Sequence, residues 1–498
     1  MFFGLALVLL GLGIVGGLPA MIGLAMLMGS ASYAGRDYRR GNVTPMTIYA
    51  LIAGCWIGLA HTIAPLTLHS RFEGAFFDEW TNFRFLLEGQ ILAAVMVFVP
   101  LLVYPRIARL QRQGLPFRVP TVGFEMSPSS TLKFYLALLM AHWIQRLTHV
   151  DVGFLGSVGG LVSRGSEIFI FLMAWHWYGR NRLFPRWTRG LLFLALGADV
   201  LHSLLFSYMR GEIAYPLFMF FAAVVLRKAL SARLIATAVA ALLLIGLVYG
   251  PIGELRQGGS VGAKRVEDVV YSYQSERWHA TESVLTLVAR SNYLGVLTAV
   301  FGVVQQDGFY QGSTLSYLIY VFIPRAIWPG KPIIAPGQWF AAKLGRGTQL
   351  APGRFSNAIA PTLAGEFYMN FGWLGAIVGV SLFATLLCIF WTAASAFRYQ
   401  HNPLGMLLGA MIMTQAIAAG HSTALAQLVI TYVVMFGLSR VAIAFHWAAP
   451  MRRSRRAPQR SQSLPSTHRS APCYRLRARR PTTLFPPRHD SATSRSAR

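Results

Sequence analysis

Acidic residues are scarce in this 498-residue chain: 18 Asp and Glu stand against 45 Lys and Arg, and all charged residues together make up 13% of it. Soluble globular domains carry about 25% charged residues, so a water-covered surface of ordinary size is excluded. Cysteine is scarcer still. Cys55, Cys388 and Cys473 lie far apart, which excludes a disulfide framework and zinc-ligand spacing. There is no P-loop, no dinucleotide fingerprint and no pair of aspartates one residue apart. A cytoplasmic nucleotide-driven activity therefore lacks its parts.

What is present is apolar: 54% of the residues are hydrophobic. Runs of about 20 such residues recur, each long enough at 1.5 Å per residue to cross a hydrocarbon core of about 30 Å. They fall at 4–28, 46–68, 86–104, 131–150, 166–178, 190–209, 212–226, 234–250, 372–394, 404–419 and 424–444. The expected class is an all-α polytopic membrane protein with about 11 spans, ten to twelve. Residues 1–34 admit a second reading as two short helices broken at Gly16, Gly17 and Pro19. No polar cleavage site follows the first run, so a removable signal peptide is not expected.

Basic loops resist translocation and stay cytoplasmic. One set of alternate loops holds fifteen cations: Arg36, Arg39, Arg40, Arg106, Arg109, Arg112, Arg118, Arg180, Arg182, Arg186, Arg189, Arg227, Lys228, Arg233 and Arg398. The opposite short loops hold five, Arg71, Arg84, Arg146, Arg164 and Arg210. The first set and the C-terminus are thus expected inside. From Met451 to Arg498 the chain has thirteen Arg and one Asp among Ser and Pro, too few apolar residues to offset ordering entropy. This tail is read as disordered and near anionic lipid headgroups; nucleic acid needs the same charge but is not the expected partner.

The domain plan is therefore an N-terminal bundle at 1–250, a large external loop at 251–371, C-terminal spans at 372–446 and a cytoplasmic tail at 447–498. Long connections without a function of their own are uncommon, so chemistry is expected in the loop, which holds ten Lys/Arg and seven Asp/Glu. Its first half mixes both signs, and its second half is basic. Thr314 to Ile323 is apolar but too short to span, which suggests an interfacial or re-entrant piece. In PRAIWPGKP, from Pro324 to Pro332, three prolines forbid a continuous helix and hold Arg325 and Lys331 on a stiff backbone. Between Gly312 and Glu366 there are five cations and one carboxylate. No carboxylate cluster suits Mg2+ there, so neither a metal nor a cofactor is expected. Glu366 enters the following apolar run, with Asn370 one turn later.

GSTLSYLIYVFIPRAIWPGKP, followed after about thirty residues by APTLAGEFYMNFGWLG, resembles the membrane polymerases of bacterial O-antigen and exopolysaccharide repeat units. The resemblance covers Arg290 to Gly375 and the plan of many spans around one external loop. It implies a GT-C-like helical fold related to O-antigen ligases. It also implies an oligosaccharide on undecaprenyl diphosphate as substrate, the inner membrane as location, and a chain-length co-polymerase and a flippase as partners. Cleaving a sugar–diphosphate bond releases an anionic leaving group that fixed cations stabilise as its charge develops. On this reading Arg325 and Lys331 hold the diphosphate, and Arg290 and Arg354 make further phosphate or sugar contacts. Trp328 and Asn370 line the sugar site, and Glu366 is the base for the acceptor hydroxyl or the orienter of an arginine.

Each assignment has a plainer competitor. Arg325, Lys331 and Trp328 make an ordinary interface anchor, Trp339 and Trp373 ordinary aromatic-belt residues, and Glu366 a structural partner of an arginine. Charges inside apolar runs are costly and often functional: Glu88, His142, Arg146, Glu167, Asp199, His202 and Arg210 fall there, with Asp199 and His202 on one helix face. His421 is a further candidate base. Three other functions stay open: a glycan ligase using the same donor, a lipid-sugar flippase or transporter, and a non-catalytic scaffold.

Overall fold

The computed structural model describes residues 17–113, 119–148, 161–251, 262–444 and 449–450, apart from short internal stretches such as 207–209, 290–292, 324–326, 395–401 and 419–422. The fold is helical. The first helix, α1, runs Gly17–Arg40, and α2, Pro45–Thr67, passes from α through a π segment at Ala50–Gly54 back to α and ends in a 3-10 turn. Then follow α3 (Leu86–Arg112), α4 (Pro128–Thr148), α5 (Gly165–Trp177), α6 (Trp187–Phe206) and α7 (Arg210–Leu226). Within the loop region lie α8 (Gly262–Gln274), α9 (Ala280–Ala289), α10 (Leu294–Asp307) and α11 (Pro336–Lys343). The chain continues through α12 (Leu363–Ala394), α13 (Pro403–Ile417) and α14 (Ala424–Ala444). The described strands only pair in twos, Phe124–Glu125 with Ala449–Pro450 and Gln349–Ala351 with Arg354–Phe355.

Among the described residues six helices are long and apolar enough to cross a bilayer, namely α1, α2, α3, α6, α12 and α14, or seven if the α9–α10 pair, bent by 47°, is one span. The expected spans at 166–178 and 404–419 correspond to helices of 13 and 15 residues, about 20 Å and 22 Å at 1.5 Å per residue. Helix α4 is long enough but carries Lys133, His142, Gln145 and Arg146.

Close packing follows from small residues. Gly54 and Gly58, one turn apart on α2, face α1, where a Cβ on Gly58 would collide with the Leu27 backbone; a Cβ on Gly23 of α1 would collide with the Thr62 amide. Absent side chains let two apolar helices approach when lipid supplies no hydrophobic drive between them.

The helices share two ends. At one, Gln111 Oε1 near the end of α3 accepts from Thr392 Oγ1 near the end of α12, 2.9 Å away. At the other, the amide of Asn82, just before α3, donates to Thr298 Oγ1 of α10 at 3.2 Å. Helix α12 is buried along its first turns, Leu363 to Asn370, and then breaks at Phe371 (φ −139°, ψ 15°) and Gly372 (φ 66°, ψ −155°). The span expected from residue 372 thus begins just after the break, and helix precedes it from Leu363. The left-handed φ of Gly372 is one that side-chain-bearing residues rarely adopt.

Candidate functional site

Backbone at a helix break needs partners, because in a membrane unsatisfied N–H and C=O groups are costly. Residues 310–316 supply them. The amides of Tyr310 and Gln311 donate to the carbonyls of Met369 and Asn370, at 3.0 and 3.2 Å. Asn370, 1% exposed, works with both ends of its amide: Oδ1 accepts from the Gly312 N–H at 2.8 Å, and Nδ2 donates to Thr314 Oγ1 at 2.6 Å and to the Glu366 carbonyl at 2.7 Å. Glu366, with no exposed surface, accepts a hydrogen bond from the Tyr317 hydroxyl through Oε2 at 3.2 Å. Thr362 starts this half-helix: its Oγ1 accepts from the Gly365 amide and its carbonyl from the Glu366 amide, at 3.1 and 3.0 Å.

The apolar piece Thr314 to Ile323 is two short helical turns, Ser313–Leu315 and Tyr317–Tyr320. Lys331 closes it. Its ammonium, on a largely buried side chain, donates to the Val321 carbonyl at 3.0 Å and the Ile323 carbonyl at 2.8 Å, so it braces the turn that leads into Pro324. Trp328 is exposed and sets its ring edge-on to Tyr320, centroids 6.2 Å apart. Trp339 packs edge-on to Tyr310 and Trp373 against Tyr368, at 5.1 and 5.2 Å. Arg290, Arg325 and His421 lie outside the described residues. Arg354 is placed as backbone in its short strand.

The structure thus brings Glu366, Asn370 and residues 312–317 together, with Lys331 bonded to the carbonyls of Val321 and Ile323. Nearby, Lys343 Nζ lies 2.9 Å from Asp307 Oδ2, and the Tyr310 hydroxyl donates to the same oxygen. These bonds, the tyrosine's first, hold the Asp307 carboxyl below its ordinary value of 3.8. Among the described residues no group of three or more His, Cys, Asp or Glu is placed to hold a metal ion.

A second polar centre spans α4 and α6. Arg146 Nη1 is 2.5 Å from Asp199 Oδ1, Nη2 donates to Ser203 Oγ at 3.1 Å, and His142 Nε2 stands 3.8 Å from the same carboxylate oxygen. Asp199 is therefore engaged across helices, while His202, its expected neighbour, sets its ring against Trp143 and Phe206, at 5.8 and 5.1 Å. Buried Arg265 of α8 donates to the Leu204 carbonyl at 3.3 Å and so caps the end of α6. A buried His61–Gln90 pair, 2.9 Å apart, joins α2 to α3; polar residues inside apolar runs were its only sequence signal.

No family model matches this chain, and neither does any curated protein or solved structure compared with it.

Proposed function

We propose that this chain is a membrane glycosyltransferase that polymerises undecaprenyl-diphosphate-linked oligosaccharide repeat units at the outer face of a bacterial inner membrane. The reading includes about 11 spans in a GT-C-like arrangement, residues 251–371 on the outer face and the C-terminus in the cytoplasm. The observation that supports it most is the mounting of the Pro324–Pro332 segment: Lys331 ties it to the turns at 313–321, and Asn370 and Tyr317 tie those turns to the broken α12. The chain is thereby braced on either side of Arg325, at Ile323 and at Lys331, and a fixed cation is what transition-state stabilisation requires.

In the reaction the acceptor hydroxyl oxygen bonds to the anomeric carbon of the donor. The carbon–oxygen bond to the diphosphate breaks, its electron pair leaving with the diphosphate, and the hydroxyl proton passes to a base or to water. Arg325 faces the leaving group with its planar fork. Burial favours Glu366 as a positioning residue, since a carboxylate without exposed surface reaches no acceptor. The expected partners are the lipid-linked donor, a chain-length co-polymerase and a flippase.

The break in α12 favours transport as a second reading, because transporters bind substrates at discontinuous helices. Deleting the gene separates them. A polymerase loss leaves single repeat units transferred to the cell surface, whereas a transport loss leaves none there, and a ligase loss leaves finished polymer on its lipid carrier. For the polymerase, Arg325→Lys lowers chain-forming turnover about tenfold to a hundredfold at normal membrane abundance, one lost charge-assisted bond contributing about 1.5–3 kcal/mol. Turnover equal to the parent's removes Arg325 from the mechanism.

A further inference from the structure

The face of α1 turned away from the helices α2 and α3 has a pattern that the proposed chemistry does not use. Exposed along it are Leu18, Met21, Ala25, Met28, Ser32, Arg36 and Arg39, spaced three or four apart and hence on one stripe, with Arg40 beside its end. The stripe changes character along its length: apolar as far as Met28, then a small hydroxyl, then three arginines. Ser32, Arg36, Arg39 and Arg40 together enclose an open pocket of about 360 Å³.

The arginines are held in register by the way the helix ends. The Gly41 amide donates to the Tyr38 carbonyl at 3.1 Å and the Asn42 amide to the Asp37 carbonyl at 2.9 Å, with Gly41 at φ 72°. This paired closure fixes the last turn. Their charge is largely unanswered. Asp37 is buried and 3.8 Å from Arg36 Nε. Among the described residues neither Arg39 nor Arg40 has an ion pair.

We propose that this stripe binds one anionic glycerophospholipid, its phosphate in the Ser32–Arg36–Arg39–Arg40 pocket and its acyl chains along Met28, Ala25 and Met21. The dimensions suit a lipid of one leaflet. From Met28 to Arg36 is about 12 Å and from Met21 to Arg36 about 22 Å along the axis, which brackets the roughly 15 Å of half a hydrocarbon core. Three guanidinium forks match phosphate oxygens, and a serine hydroxyl beside them accepts or donates to the glycerol region. A free phosphate ion would satisfy the arginines but leave the apolar half of the stripe without a role.

The test uses the purified full chain in nanodiscs of phosphatidylcholine doped with phosphatidylglycerol, with native mass spectrometry counting retained lipid and a photoreactive side chain at position 32 reporting its place. Phosphatidylglycerol is expected to be retained in preference to phosphatidylcholine and to crosslink at position 32. Retention is expected to fall about fivefold for each arginine changed to glutamine, and roughly a hundredfold for Arg36→Gln/Arg39→Gln/Arg40→Gln. If the triple variant does not accumulate, the single Arg39→Gln and Arg40→Gln variants carry the same comparison. Parental retention in the variants overturns the proposal. So does equal crosslinking to both lipids, or displacement of phosphatidylglycerol by millimolar inorganic phosphate, which would mark an ion site only.

Discussion

Replacing Asn370 by leucine tests whether the break in α12 is sealed as described. The substitution keeps the side chain's branching and removes two bonds that cross from the helix to residues 312–314: the one from the Gly312 N–H at 2.8 Å and the one to Thr314 Oγ1 at 2.6 Å. Each such bond contributes about 1 kcal/mol net, and a buried donor left behind costs a further 1–3 kcal/mol. Gly312 and Thr314 are only partly buried, so water recovers some of that, and the sum is about 2–3 kcal/mol. At 1.4 kcal/mol per tenfold, local opening of residues 310–316 becomes roughly thirtyfold to a hundred-and-fiftyfold more frequent. Amide hydrogen exchange reads this directly, because the affected groups are backbone amides. The Gly312 amide is expected to exchange faster by that factor in Asn370→Leu, while amides in the middle of α3 and in α12 after Gly372 keep the parent's protection. Exchange at 310–316 within threefold of the parent would refute the reasoning. A uniform rise across α3 and α12 would mean that Asn370 supports the bundle and not the seal.

Two further outcomes follow from other charge pairs. Removing one partner of the buried Arg146–Asp199 pair, as in Asp199→Ala, leaves an uncompensated guanidinium and is expected to destabilise the chain by about 3 kcal/mol, with Arg146→Met/Asp199→Leu recovering most of the loss in a thermal melt in detergent; a double variant no better than the single one would show that the charges themselves are required. The Asp307 carboxylate is held below its ordinary value by Tyr310 and Lys343, so its contribution to docking α11 is present above the unfolded carboxyl value and is lost as pH falls through the depressed folded value. The protection factors of the α11 amides, corrected for the intrinsic pH dependence of exchange, are therefore expected to fall only in acid, below about pH 4, and to lose that fall in Asp307→Asn.

Local features of the site were legible where their cause is local. Spacing alone put Glu366 and Asn370 one turn apart on a helix. The glycine that permits the break is visible at 372, and the prolines from 324 to 332 announce a non-helical turn. The partners were not legible. Tyr317 and Thr314 lie 49 and 56 residues before the side chains they bind, and nothing in a 3.6-residue period encodes which distant hydroxyl closes such a gap. The same holds for Asp199, whose nearest titratable neighbour on its own helix face is His202 but whose ion pair comes from Arg146, 53 residues away. Lys331 illustrates the complementary limit. Its charge pointed to an anion, but charge carries no direction, and the ammonium turns inward onto two carbonyls. The early start of α12 was hidden because Glu366 and Asn370 lower the apolarity of its first turns, whereas Thr362 caps them through its side chain.

Burying a polar group in apolar surroundings is costly unless it is hydrogen-bonded, so where such groups gather is informative about which end of a helical bundle does work. Following the chain up and down, His61 and Gln90, Arg146 and Asp199, and Glu366 and Asn370 all sit toward the helix ends nearest residues 251–362, the end marked by the Asn82–Thr298 bond. Arg265 links that region physically to α6 by capping the Leu204 carbonyl. The opposite end, marked by Gln111 and Thr392, carries Arg36, Arg39, Arg40, Arg109 and Arg112 at the close of α1 and α3. Two kinds of charge are thereby separated along one axis: paired and enclosed at the first end, and at the second the exposed arginines of α1, of which, among the described residues, only Arg36 has an acidic ion-pair partner. In the proposed orientation, basic residues that resist translocation account for the second end. They do not account for the first, where each polar pair ties one helix to another or to residues 312–317. In the proposed orientation that is the outer face, where the bonds of Asn370 and Glu366 hold residues 312–317 against the start of α12.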